Sequence, residues 1–128
     1  MIKLDHLVLQ ATDFSSALEF YRLLFEFTHF AEILDPESDK SFGFRQSDGL
    51  TFWIEAASDN LTIKPKAGSL DHYAFNCENR DEVDRAYKFC RSKEWRILSE
   101  PKAYPQYGDF YGFAFEGPDG LKLEFVTH

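Results

Sequence analysis

Apolar positions along this chain recur with two periods, and the change from one to the other marks out its elements. From Leu4 to Gln10 (LDHLVLQ) and from Leu70 to Asn76 (LDHYAFN), apolar and polar residues alternate, as in a strand with one buried face. Asp13 and Asn79 follow, each with a short side-chain oxygen able to accept from the free amides of a first helical turn. Glu82, three residues after Asn79, completes the pattern of a capping box. Beyond these caps the period lengthens. Ala17, Phe20, Tyr21 and Leu24 predict one helix with a single apolar stripe, and Val83, Ala86, Tyr87 and Cys90 predict a second.

Three more extended runs are predicted in each half, near Phe27 to Ile33, Phe42 to Gln46 and Leu50 to Ala56, then near Trp95 to Ser99, Gly112 to Glu116 and Leu121 to Val126. Asp48-Gly49 and Asp119-Gly120 are hairpin dipeptides whose glycine tolerates positive φ. The order is therefore βαβββ, twice. An offset of 66 residues superposes Leu4, Asp5 and His6 on Leu70, Asp71 and His72, and Tyr21 on Tyr87. The prediction is an α+β fold, a single domain over 1–128 made of two βαβββ modules, the first at about 1–57 and the second at about 69–128. The polar stretch SDNLTIKPKAGS supplies a linker at about 58–68. A module of this size cannot bury its sheet alone, so the two are expected to pack together or against another chain.

Composition narrows the function. With 44% hydrophobic and 17% aromatic residues, the 128-residue chain can fill one core. A net charge of -8 argues against general affinity for nucleic acid or an anionic membrane. No apolar run approaches the roughly 20 residues that span a bilayer, and MIKLDH lacks the features of a signal peptide, so a cytoplasmic location is expected. Two cysteines, Cys77 and Cys90, make neither a disulfide framework nor a CxxC-type zinc cluster and read as reduced, buried thiols.

Alternation puts Leu7, Leu9, Tyr73 and Phe75 on the face that meets the helices, which leaves His6 and His72 on the other. A strand histidine is usually only a hydrogen-bonding residue, and duplication makes the pair a single observation. The last strand of each half, however, carries an acid among apolar residues, Glu55 in WIEA and Glu124 in KLEF. A carboxylate there is costly to bury unless paired or bound to a metal. Two imidazoles and two carboxylates offer a balanced donor set for one divalent ion, Zn, Ni, Fe, Mn or Co.

With LDHLVL followed by SALEFY, and YGFAFEGPDGLKLEFV near the end, the chain resembles the vicinal oxygen chelate superfamily, which includes glyoxalase I, fosfomycin-resistance enzymes, extradiol dioxygenases and bleomycin-binding proteins. The resemblance covers nearly the whole chain. It implies curved mixed sheets around a shared cleft, metal ligands at His6, Glu55, His72 and Glu124, and a homodimer whose site is shared between chains. There is one departure: Glu124 lies five residues after Asp119, whereas five after Asp48 is Trp53, so a three-ligand set of His6, His72 and Glu124 is also open.

The implied activity is that of a metal-dependent enzyme of the glyoxalase type, a lyase or isomerase acting on a small molecule that binds the metal through oxygens, with Glu124 or Glu55 as the base. A non-catalytic drug- or metabolite-binding protein is the alternative. Fosfomycin-type epoxide opening is a minor one, because the basic anchor those enzymes carry after the last glutamate is missing here. Candidate substrate contacts are Tyr104, Tyr107 and Tyr111 in the aromatic loop EPKAYPQYGDFYG, Arg45 for an anionic group, and Trp53 as a wall. Their alternatives are a surface loop, a solvated arginine and core packing.

Overall fold

The computed structural model describes residues 1–34, 39–58, 67–68 and 70–128. The expected linker therefore falls largely outside the described residues. Two units, Met1–Ile63 and Lys64–His128, emerge from the internal contacts. Among the described residues, no helix is long and apolar enough to cross a membrane.

Each unit is one helix against one face of a four-stranded sheet. In the first unit, β1 (His6–Ala11) is followed by α1 (Phe14–Phe27), β2 (Ala31–Leu34), β3 (Ser41–Arg45) and β4 (Thr51–Ala56). In the second, β5 (His72–Asn76) is followed by α2 (Arg80–Ser92), β6 (Ile97–Ala103), β7 (Tyr111–Glu116) and β8 (Lys122–Thr127). The sheet orders are β1-β4-β3-β2 and β5-β8-β7-β6. The first and last strands of each unit pair in parallel, and the other neighbours are antiparallel. The α+β order is thus as the periodicity predicts, and the two mixed sheets are as the resemblance implies.

The helix starts follow their caps. Asp13 accepts from the Ser16 amide at 3.1 Å and from the Ser16 hydroxyl at 2.8 Å. Asn79 accepts from the Glu82 amide at 2.9 Å, but Glu82 reaches one residue further back than a capping box requires, accepting from the Glu78 amide at 2.8 Å. Both helices also stop in the same way. The Phe30 amide donates to the Phe25 carbonyl and His29 to Glu26; in the second unit Trp95 donates to Cys90 and Glu94 to Arg91. This is the Schellman pattern, and it requires a left-handed residue, here His29 (φ 60°) and Glu94 (φ 58°) instead of glycine. The apolar contact that accompanies it is Phe30 stacked on Phe25 at 5.1 Å, and Trp95 edge-on to Phe89 at 5.4 Å.

That ending corrects one boundary. The run Phe27 to Ile33 reads as a strand by apolarity alone, yet Phe27 closes α1, Phe30 folds back onto it, and the strand begins at Ala31. The strand expected near Trp95 to Ser99 is shifted similarly and extends to Ala103. Its register slips around Ser99 and before Lys102, as an edge strand containing Pro101 can tolerate.

Cores are aromatic. Phe25 lies 4.5 Å from Phe44 and 5.5 Å from Phe52, and Phe113, Phe115 and Phe125 lie 5.7–5.8 Å apart. Cys77 and Cys90 are buried and free, and burial pushes their thiols up to about 11 and about 12, so both are protonated at neutral pH. Phe25→Ala is expected to cost ~3–5 kcal/mol of unfolding free energy in urea titrations, because the ring is wholly enclosed. Glu94→Gly should instead raise stability by about 0.5–1 kcal/mol in the same titration, the left-handed strain relieved exceeding the chain entropy added.

Candidate functional site

The side chains of each sheet that turn away from its helix form rows across the strands, and the pairing register decides who shares a row. In the second unit His72 pairs with Lys122 and Ala74 with Glu124, while Lys122 pairs with Glu116 and Glu124 with Ala114 across β7. His72 and Glu124 are thus diagonal neighbours, with alanine on either side of Glu124. The His72 Nε2 atom lies 3.7 Å from Glu124 Oε2. The other carboxylate oxygen, Oε1, is held by the Lys122 ammonium at 3.1 Å.

His72 is itself held from behind. Its Nδ1 lies 2.7 Å from Asp71 Oδ2, and the hydrogen bond to His72 lowers the Asp71 carboxyl below its ordinary value of 3.8. An ionised Asp71 can only accept, so the contact is a hydrogen bond from Nδ1–H, and Nε2 is the ring nitrogen that faces Glu124. His6 carries the same brace, Asp5 Oδ2 at 2.6 Å from Nδ1. The acid before each histidine therefore sets which ring nitrogen is available.

Over this row opens a recess of about 310 Å³, bounded by His72, Lys122, Glu124, Ser99 and the aromatic loop. Tyr104 donates its amide to the Phe110 carbonyl at 2.9 Å, closing the loop around the single turn Pro105–Tyr107. Tyr104, Tyr107 and Phe110 stand 5.5–6.5 Å apart and form one wall. Gly112 is part of the floor, where a Cβ would meet the Phe125 carbonyl at 2.7 Å. Tyr111 is turned elsewhere. Its register with Thr127 puts it on the helix face, its hydroxyl donates to Asp84 at 2.7 Å, and the Arg80 guanidinium lies 4.8 Å from its ring centre. The hydrogen bond to Asp84 raises the Tyr111 hydroxyl above its ordinary value.

The first unit repeats the frame without the same chemistry. His6 pairs with Thr51, and Val8 with Trp53, so Trp53 holds the place that Glu124 holds in the second unit. Its indole lies across Gly43, where a Cβ would approach the ring to 2.9 Å, and its Nε1 donates to the Thr51 hydroxyl at 3.1 Å. Glu55 pairs with Gln10, four positions along the strand from Thr51, which puts it about 13 Å from the His6 row. Arg45 pairs with Thr51 and so shares the His6 row; it is exposed. Among the described residues, no three His, Cys, Asp or Glu side chains gather as a metal site.

The repeated sheet frame has known counterparts. The family model for the Glyoxalase/Bleomycin resistance protein/Dioxygenase superfamily matches residues 3–125. The chain belongs to this superfamily. As a glyoxalase-superfamily chain, it resembles the crystal structure of a putative glyoxalase from Bacillus halodurans, with a TM-score of 0.84 at 18% identity over 98% of this chain and 95% of that one. It also resembles a glyoxalase/dioxygenase from Nostoc punctiforme, with a TM-score of 0.74 at 20% identity over 98% and 90%, and a lactoylglutathione lyase from Agrobacterium tumefaciens, with 0.70 at 18% over 98% and 92%. A comparison with curated proteins gives no match. At these identities the likeness establishes the fold alone.

Among the site groups of this superfamily chain, Lys122 is the one that residue-type reasoning passes over. The signal was present, since two residues before Glu124 on a strand means the same face. The brace is open to test. In Asp71→Asn, ¹⁵N shifts of the His72 ring should show the proton redistributed between its two nitrogens relative to the parent protein.

Proposed function

We propose that the His72–Glu124 face binds a divalent metal ion and works as the centre of a glyoxalase-type lyase or isomerase acting on a small oxygenated molecule. The observation that carries the reading is the division of labour at Glu124: Oε1 is taken by Lys122, and Oε2 faces the free nitrogen of a braced histidine. Bond lengths of about 2.0–2.2 Å set two ligand atoms of a tetrahedral ion about 3.3–3.6 Å apart, so a separation of 3.7 Å needs little adjustment. Asp71 and Lys122 are then the outer partners that ligating imidazoles and carboxylates ordinarily carry. His6, with its own aspartate, repeats the braced imidazole within the first unit. Glu55 is the weakest candidate, since its strand register removes it from the histidine row.

A divalent ion held there supplies Lewis-acid stabilisation of the negative charge that develops on a substrate oxygen. The protein supplies the rest. Glu124 is the carboxylate lining the recess and only 17% exposed, so its Oε2, the oxygen that Lys122 leaves open, would either hold the ion or, when released from it, take a proton from a carbon beside a carbonyl and return it to the neighbouring atom. Lys122 fixes the rotation of that carboxylate. The aromatic loop shields the substrate from water. Zn, Ni, Fe, Mn and Co all suit such a donor set, and a homodimer belongs to the same reading.

A second reading is sequestration of a small molecule without chemistry. Trp53 favours it, because an indole in the place of the second carboxylate offers a stacking surface and no ligand. Metal content and Co(II) titration of the purified protein separate the two. His72→Ala and Glu124→Ala should each weaken metal binding by more than about 100-fold, and Glu55→Ala should not. A metal-free protein whose three variants titrate alike would reject the enzyme reading.

A further inference from the structure

The lining of the recess is balanced in charge where the whole chain is acidic. The protein has 22 acidic and 14 basic residues, yet the charged residues lining this recess are one of each sign, Glu124 and Lys122, and Lys102 stands beside it with its ammonium 5.0 Å from the centre of the Tyr104 ring. Of the nearby acids, Asp71 is engaged with His72, and Glu116, opposite Lys122 in register, with Arg96 at 3.4 Å. Glu124 uses one of the three donors of Lys122, and the Lys122 side chain is 41% exposed, so its ammonium can take a second acceptor. On the opposite wall, Tyr107 is 69% exposed although it is a large ring in the aromatic cluster. It is edge-on to Phe110 at 77°, which leaves a ring face for a flat partner. A volume of about 310 Å³ is at the small end for a ligand site and suits a single ring with a short polar arm.

We infer that the recess takes a small aromatic carboxylate, its ring against Tyr107 and Tyr104 and its carboxylate on the Lys122 ammonium. This deepens the reading above by naming the ligand class of the same site, and its anchors are residues other than the metal ligands. It can therefore be tested with the metal removed.

Phenylacetate, its uncharged isostere phenylacetamide, and acetate, which has the charge without the ring, are titrated by calorimetry in the presence of chelator. Phenylacetate should bind at least about tenfold more tightly than either, as expected for one charge-assisted hydrogen bond plus one stacked ring. Lys122→Met should abolish the preference for phenylacetate over phenylacetamide, and Tyr107→Ala should weaken both aromatic ligands while leaving acetate unchanged. Circular dichroism of each variant confirms that the fold is kept. Equal binding of phenylacetate and phenylacetamide, or a preference that survives Lys122→Met, overturns the inference. Co(II) binding without phenylacetate binding overturns it alone, whereas phenylacetate binding without Co(II) binding sinks the metal reading and leaves this one standing.

Discussion

Parallel pairing of the first and last strand in each unit is the constraint from which the rest follows. It brings residues far apart in the chain into one row. In the second unit it sets His72 beside Lys122 and one step from Glu124, with their side chains on the face the helix does not cover. A slip of one residue would turn Glu124 into the aromatic core and expose Phe125 in its place. The aromatic packing under α2, with Phe113, Phe115 and Phe125 in mutual contact, holds the register against such a slip. Core and site are therefore two faces of one alignment.

Given that alignment, chemistry at the row comes from how each polar group is held. Asp71 occupies one nitrogen of His72 and frees the other; Lys122 occupies one oxygen of Glu124 and frees the other. The two free atoms face each other. Neither the imidazole nor the carboxylate would be so oriented by strand geometry alone, since both side chains rotate and both would otherwise be solvated. The outer partners supply that orientation.

The units have diverged at this point while keeping their frame. Both helices begin on a capping side chain and end in a Schellman turn with a left-handed residue other than glycine, and both sheets have the same strand order. At the place of Glu124, however, the first unit has Trp53, wedged over Gly43. A carboxylate and an indole occupy equivalent positions of the two sheets, so the row in the first unit has a braced histidine without its acidic partner.

How much of this was legible depends on whether the signal was local. The two-residue and helical periods, the Asp13 and Asn79 caps and the hairpin dipeptides follow from backbone sterics and near-neighbour hydrogen bonds, so the sequence alone determined the βαβββ order and the side of each strand on which His6, His72 and Glu124 stand. It also carried the mismatch between Glu55 and Trp53, in the count from the Asp-Gly turns. What it could not determine was the fold-back of Phe30 onto Phe25, the turning of Tyr111 to Asp84, or the joining of Lys122 to Glu124. Those contacts depend on which strands lie side by side and in what register, a choice made by burial of side chains many residues apart and therefore settled only by the tertiary structure.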